Sequence, residues 1–106
     1  MAVYRLEDVK KAASAAKIEY RGRIVQRDIA NLGYDLNDVI ACMMQLSESN
    51  FRKTHIYNNG IPSDDDYTCQ YTRQVDGETL TDDLYIKFCL VDDCLSIDLG
   101  SFHLSR

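Results

Sequence analysis

The 106-residue sequence contains no run of 18 or more apolar residues, and Met1-Ala2-Val3-Tyr4-Arg5 leads into polar residues rather than into an apolar signal core. That pattern predicts neither a membrane helix nor a secretory leader, and therefore a soluble, cytoplasmic protein. Its four cysteines (Cys42, Cys69, Cys89, Cys94) have no CxxC spacing, and the two histidines, His55 and His103, lie far apart in sequence, so no zinc-ligand pattern exists. With nothing to suggest export, the thiols are expected to be reduced and to serve as small core or half-core residues. Also missing are a glycine-rich phosphate loop, a GxSxG turn, an HExxH pair and an EF-hand loop. Asp64-Asp65-Asp66 is expected to be a solvated stretch of loop rather than a cation site. No metal and no cofactor is expected.

A formal charge of −5 disfavours a nucleic-acid binder, but the charge is unevenly spread. Residues 1–57 carry +2 and residues 58–106 carry −7, and Lys17, Arg21, Arg23 and Arg27 cluster within eleven residues, enough for a local positive patch. Much of the acid falls at Asp64-Asp65-Asp66, Asp82-Asp83 and Asp92-Asp93, all placed in loops by composition.

With 45% apolar residues, the chain is expected to form a single domain, residues 1–106. Leu6, Val9, Ala13 and Ala16 predict a first helix over Arg5 to Lys17, with Glu7 and Asp8 suited to its positive end. Ile18-Glu19-Tyr20 reads as a short edge strand or connector. Val25, Ile29 and Leu32 predict a second helix ended by Gly33. Asp35 then caps a third helix whose apolar face, Leu36, Val39, Ile40 and Met43, runs toward Leu46.

At Leu46-Ser47-Glu48-Ser49-Asn50-Phe51-Arg52-Lys53 the helical period gives way to strand alternation. Phe51, Lys53, His55 and Tyr57 would share one strand face. Asn58 to Ser63 reads as loop, Tyr67 to Val75 as strand, and Asp76-Gly77 as a hairpin turn. Leu84, Ile86, Phe88 and Leu90 form a core face opposite Tyr85, Lys87 and Cys89. After Asp92-Asp93, a returning strand sets Leu95, Ile97 and Leu99 against Ser96 and Asp98. Helices followed by a strand meander predict an α+β fold, with three N-terminal helices packed on one face of an antiparallel sheet.

The other sheet face would then expose Tyr85 and Lys87, with Lys53 and His55 able to join them. Lys, Tyr, Gln, His and Arg side chains on strands suit metal-free phosphate chemistry. In cleavage of the ribonuclease type a base takes the ribose 2′-hydroxyl proton, cations hold the phosphate charge, and an acid protonates the departing 5′-oxygen. A half-exposed strand with no site shows the same alternation.

The junction Leu46 to Lys53 resembles the LSESDFYK segment of the MqsR toxin family, motility quorum-sensing regulators of toxin-antitoxin systems. Leu84-Tyr85-Ile86-Lys87-Phe88 is similar to that family's VYLKI strand, and Arg5-Leu6 with Val9-Lys10-Lys11 to its RLxxVKK opening. The likeness extends over about the whole chain. It implies a RelE-like α+β fold, a metal-independent endoribonuclease (mRNA interferase) that arrests growth by cutting mRNA at short sequences, and a cognate antitoxin partner. By position, Lys53 matches the family's active-site lysine and Tyr85 its active-site tyrosine.

Gln70 in Tyr67-Thr68-Cys69-Gln70-Tyr71 is the candidate for the family's active-site glutamine, with Thr68 a rival. The family's C-terminal lysine has no clear counterpart, and His103 or Arg106 would stand in for it. Lys53, Tyr85 and Gln70 are thus the expected catalytic residues, and Lys87, Arg52 and His103 the expected substrate-binding ones. Asn58 to Asp66 reads as an acidic insertion. The competing expectation is a non-catalytic member that binds a protein or RNA partner through the same sheet face.

Overall fold

The computed structural model describes residues 1–105. It is α+β: α1 (Leu6–Ser14), β1 (Ile18–Tyr20), α2 (Arg23–Asn31), α3 (Leu36–Met44), a 3₁₀ turn (Glu48–Asn50), then β2 (Phe51–His55), β3 (Asp64–Val75), β4 (Glu78–Val91) and β5 (Ser96–Leu104). The strands form one five-stranded sheet in the order β1-β5-β4-β3-β2.

Local sequence accounts for most of these elements. Asp35 caps α3 reciprocally with Asp38: each side chain accepts the other's backbone N–H, at 3.0 Å in both directions. Asp76 and Gly77 take left-handed φ values of 51° and 80°, the two-residue turn whose twist matches a hairpin's. Val9, Ala12 and Ala13 of α1, Val25 and Ile29 of α2, and Val39, Cys42 and Met43 of α3 are buried in one cluster with Tyr67, Leu84, Ile86, Phe88, Leu90, Ile97, Leu99 and Phe102 of the sheet. The expected core face of β4 is therefore the observed one, and Phe88 stacks on Tyr67 with ring centroids 5.6 Å apart.

Four expectations change. The sheet is mixed rather than antiparallel, because β1 runs parallel to β5 in the register Ile18↔Ile97, Glu19↔Asp98 and Tyr20↔Leu99. Its partner lies nearly eighty residues away, beyond the reach of any local pattern. Leu95 is exposed in the β4–β5 turn, where Asp92, Asp93 and Cys94 all have φ between 54° and 67°, so the returning strand begins at Ser96. Cys94 is exposed in the same turn, whereas the other three cysteines are buried, and all four are free thiols.

The largest change concerns Asp64-Asp65-Asp66. These residues open β3, and each is fully buried at 0% exposure. Alternation sends Asp64 and Asp66 to one face and Asp65 to the other. Asp65 accepts the backbone N–H groups of Val3 (3.1 Å) and Tyr4 (2.9 Å) and the hydroxyl of Thr54 (2.6 Å), so it ties the N-terminal segment to the sheet.

Candidate functional site

Cross-strand register sets three rows of side chains on the polar face of the sheet. Lys53, Asp66, Lys87 and Ser101 lie abreast on β2, β3, β4 and β5. The neighbouring row holds Thr68, Tyr85 and His103. On the other side, His55 pairs with Asp64, and Cys89 with Asp98. A bulge between Phe51 and Lys53 reorders the start of β2. Phe51 consequently packs against Tyr67 at the core, while Arg52 turns toward the polar face, its guanidinium 5.7 Å from the Tyr85 ring centroid. The expected sharing of one face by Phe51 and Lys53 is therefore not what the chain does.

Asp66 is the hub. Its Oδ2 lies 2.6 Å from His55 Nε2, accepts the Tyr85 hydroxyl at 2.8 Å and the Arg52 Nη1 at 3.4 Å, while Oδ1 accepts the Lys53 backbone N–H at 3.2 Å. Burial alone would raise this carboxyl, but the bonds from His55 and Tyr85, with the Lys53 amide and Arg52 behind them, outweigh it and hold Asp66 below the ordinary carboxylate range. The same geometry pushes the Tyr85 phenol well above its usual value, first through burial and then through the bond to Asp66. Tyr85 thus keeps its proton near neutral pH and cannot serve there as a base.

A second carboxylate braces the adjoining row. Asp64 receives Arg21 in a two-pronged pair (Nη1–Oδ2 2.9 Å, Nη2–Oδ1 2.8 Å) and the Tyr57 hydroxyl at 2.8 Å. Burial works to raise Asp64, yet these partners hold it low. Arg21 also reaches Asp98 at 3.1 Å and lies across Gly100, where a Cβ would sit 2.5 Å from its Nη1. Only glycine leaves room for that crossing. Arg21 is therefore spent on Asp64 and Asp98 and cannot contribute to a free basic patch with Lys17, Arg23 and Arg27.

Among the described residues, neither Lys53 nor Lys87 forms a salt bridge or a side-chain hydrogen bond. Over these rows Arg21, Arg52, Lys53 and Lys87 are matched by Asp64, Asp66, Asp98 and Glu19, so the face is balanced in a chain whose net charge is −5. Two lysines with unused ammonium donors, flanking a buried carboxylate, suit a mobile anion better than a fixed partner. Tyr85 and His103 stack at 5.2 Å and 27°, and line a cleft of about 440 Å³ with Arg52, Thr68, Leu104 and Ser105. Among the described residues, no group of three or more His, Cys, Asp or Glu side chains is arranged to hold a metal ion.

Of the residues singled out in the sequence, Lys53, Tyr85, Lys87, Arg52 and His103 come together on this face. Gln70 lies on the same face one row further along, two positions from Thr68 on β3, where its Nε2 donates to Asp83 at 3.0 Å and it lines an adjoining cleft with Thr68 and Ser105. Thr68, its rival, is the residue directly opposite Tyr85. Arg106 lies outside the described residues. Sequence reasoning missed Asp66, Asp64 and Arg21 as parts of this site, and it named His55 and Tyr57 only as face-mates of Lys53. The available signal was alternation, since Asp64 to Val75 has one unbroken period of two once the acids are admitted to the strand.

The fold and site define a small α+β protein whose polar sheet face presents cations braced by buried carboxylates. The family described as "Motility quorum-sensing regulator, toxin of MqsA" matches residues 1–103, and the chain belongs to that family of toxins. Among curated proteins none matches the chain.

Proposed function

We propose that this protein is the toxin of a type II toxin–antitoxin pair and acts as a metal-independent endoribonuclease that arrests growth by cutting mRNA. The observation that carries the proposal is the row Lys53–Asp66–Lys87 beside Tyr85, where two cations without fixed partners flank a buried carboxylate that holds the phenol of the next row. An RNA phosphate seated there would place its non-bridging oxygens against the two ammonium groups, which stabilise the charge that builds as phosphorus becomes five-coordinate. Tyr85, its one hydroxyl proton given to Asp66, forms the floor of the site beneath the phosphate. Arg52 and His103 contact the flanking nucleotides along the cleft they line with Thr68. Gln70, bonded to Asp83, meets the strand one cleft further on.

The same reading takes the chain as a single toxin domain of RelE-like layout, its helices on the face opposite the site. The protein is cytoplasmic in this reading, since its substrate is mRNA, and it is silenced by a cognate antitoxin, as the family's description as a toxin of MqsA suggests. Among the described residues, no helix is long and apolar enough to cross a membrane.

The test is cleavage of single-stranded RNA by purified protein in the presence of a chelator, with products ending in 2′,3′-cyclic phosphate and 5′-hydroxyl. Lys53→Ala should lose most of the rate. RNA left intact across a broad set of sequences would refute the nuclease, and growth arrest relieved by co-expression of the neighbouring reading frame would then point to the non-catalytic alternative.

A further inference from the structure

The two histidines, 48 positions apart in sequence, lie on either side of one phenol. His55 approaches the Tyr85 hydroxyl to 3.5 Å from β2, and His103 stacks on the Tyr85 ring from β5. Each has one ring nitrogen committed. His55 Nε2 donates to the buried, ionised Asp66 at 2.6 Å, which leaves Nδ1 with its lone pair free. His103 Nδ1 donates to the Leu104 carbonyl at 2.9 Å, which leaves Nε2 uncommitted on a ring that lines the cleft. A carboxylate hydrogen-bonded to one nitrogen of an imidazole fixes the tautomer and stabilises the cation formed when the other nitrogen takes a proton.

We propose that His55 is the general base and His103 the general acid of RNA cleavage, with Asp66 a positioning residue for His55. The inference rests on the nuclease reading and assigns its proton transfers, which the lysines and the phenol leave open. His55 Nδ1 takes the proton of the ribose 2′-hydroxyl as that oxygen bonds to phosphorus. The bond from phosphorus to the 5′-oxygen breaks, and the protonated His103 delivers its Nε2 proton to that departing oxygen. The products are a 2′,3′-cyclic phosphate and a 5′-hydroxyl, with one proton gained at His55 and one lost from His103. No oxidant, metal or further reactant enters. Imidazole is the side-chain chemistry on this face suited to both roles near neutral pH, whereas Tyr85 keeps its proton and the lysines serve as fixed charges.

The experiment compares His55→Gln, His55→Asn and His103→Ala on two RNAs, one ordinary and one with sulfur in place of the 5′-oxygen at the cleaved bond. A thiolate leaves without needing an acid. Glutamine at position 55 can still donate an amide N–H to Asp66 and so hold the site's shape. On ordinary RNA each variant should lose about 10²- to 10⁴-fold in kcat with KM little changed. On the sulfur-substituted RNA His103→Ala should recover to near the wild-type rate, while the His55 variants should stay slow. Binding of a 2′-deoxy analogue and thermal melting are read on the same samples, and the comparison stands on whichever His55 variant melts within a few degrees of wild type. A His55 variant cutting ordinary RNA within threefold of wild type would overturn the base assignment. Failure of the sulfur substrate to restore His103→Ala would overturn the acid. If the wild-type protein itself cuts neither RNA, the nuclease reading falls and the two assignments with it.

Discussion

Tyr85→Phe separates what the phenol contributes to the site from what it contributes to the fold. The substitution keeps the ring that stacks on His103 and deletes only the hydroxyl that Asp66 accepts at 2.8 Å. A hydrogen bond to a charged group is worth about 1.5–3 kcal/mol net. Asp66 keeps three other donors, from His55, Arg52 and the Lys53 amide, so it is not left orphaned and the cost should fall to about 1–2 kcal/mol. For a chain of this length each kcal/mol moves Tm by about 4–8 °C, so Tyr85→Phe should melt roughly 4–16 °C below wild type. Cleavage of single-stranded RNA should fall by at least about tenfold, since the hydroxyl that helps hold Asp66 against His55 and the Lys53 amide is gone. Tyr71→Phe supplies the control, because Tyr71 donates to the carboxylate of Asp38 at the same 2.8 Å but away from this face. It should lose similar stability and no activity. A Tyr85→Phe protein that melts within about 1 °C of wild type would show that Asp66 does not depend on the phenol, and unchanged cleavage would remove Tyr85 from the site.

Asp65→Ala should cost about 2–4 kcal/mol by leaving the Val3 and Tyr4 amides without their acceptor, and hydrogen exchange at those two amides should accelerate far more than in the sheet; equal protection before and after would refute the tether. Phe88→Ala, at a fully buried ring stacked on Tyr67, should destabilise by about 3–5 kcal/mol in chemical denaturation, and a near-wild-type midpoint would contradict the assigned core face. Asp64 and Asp66 titrate lower folded than unfolded, so the unfolded chain binds more protons in acid. Stability should therefore hold above about pH 4 and drain away as pH falls through the depressed values, and a flat melting temperature down to pH 2 would contradict it. Tyr57 and Tyr71 are pushed up to about 12, chiefly by burial, so they bind their protons more tightly folded. A second loss of stability should follow as pH rises from about 10 toward that value, measured by the same melting scan.

What could be read from the sequence was whatever is decided within a few residues. Helix spacing at Val9 and Ala13, the cap at Asp35, the hairpin turn at Asp76-Gly77 and the alternation of Leu84 to Leu90 each depend on near neighbours, and each is present in the fold. What escaped is decided at a distance. Three successive aspartates satisfy every local criterion for a solvated loop, and it is donors from other segments, among them Arg21, Tyr57, His55, Tyr85 and the amides of Val3 and Tyr4, that make them interior residues. The bulge that turns Arg52 toward Tyr85 and the parallel pairing of β1 with β5 are equally invisible from nearby residues. For the site, the resemblance supplied Lys53 and Tyr85, and alternation supplied Lys87. The buried half of the constellation required the sheet.

The aspartate triplet also carries information in its length. Because alternate residues of a strand face opposite ways, Asp64 and Asp66 serve the polar face while Asp65 anchors the chain's beginning. Deleting any one of them would leave an acidic pair of almost unchanged composition, yet an aspartate on one side of the gap would reverse its facing. A carboxylate would be turned away from Arg21 or from the Val3 and Tyr4 amides, depending on which side gave way. The triplet is therefore punctuation whose spacing matters more than its chemistry, and single-residue insertions or deletions there should be far more damaging than substitution of any one aspartate by asparagine.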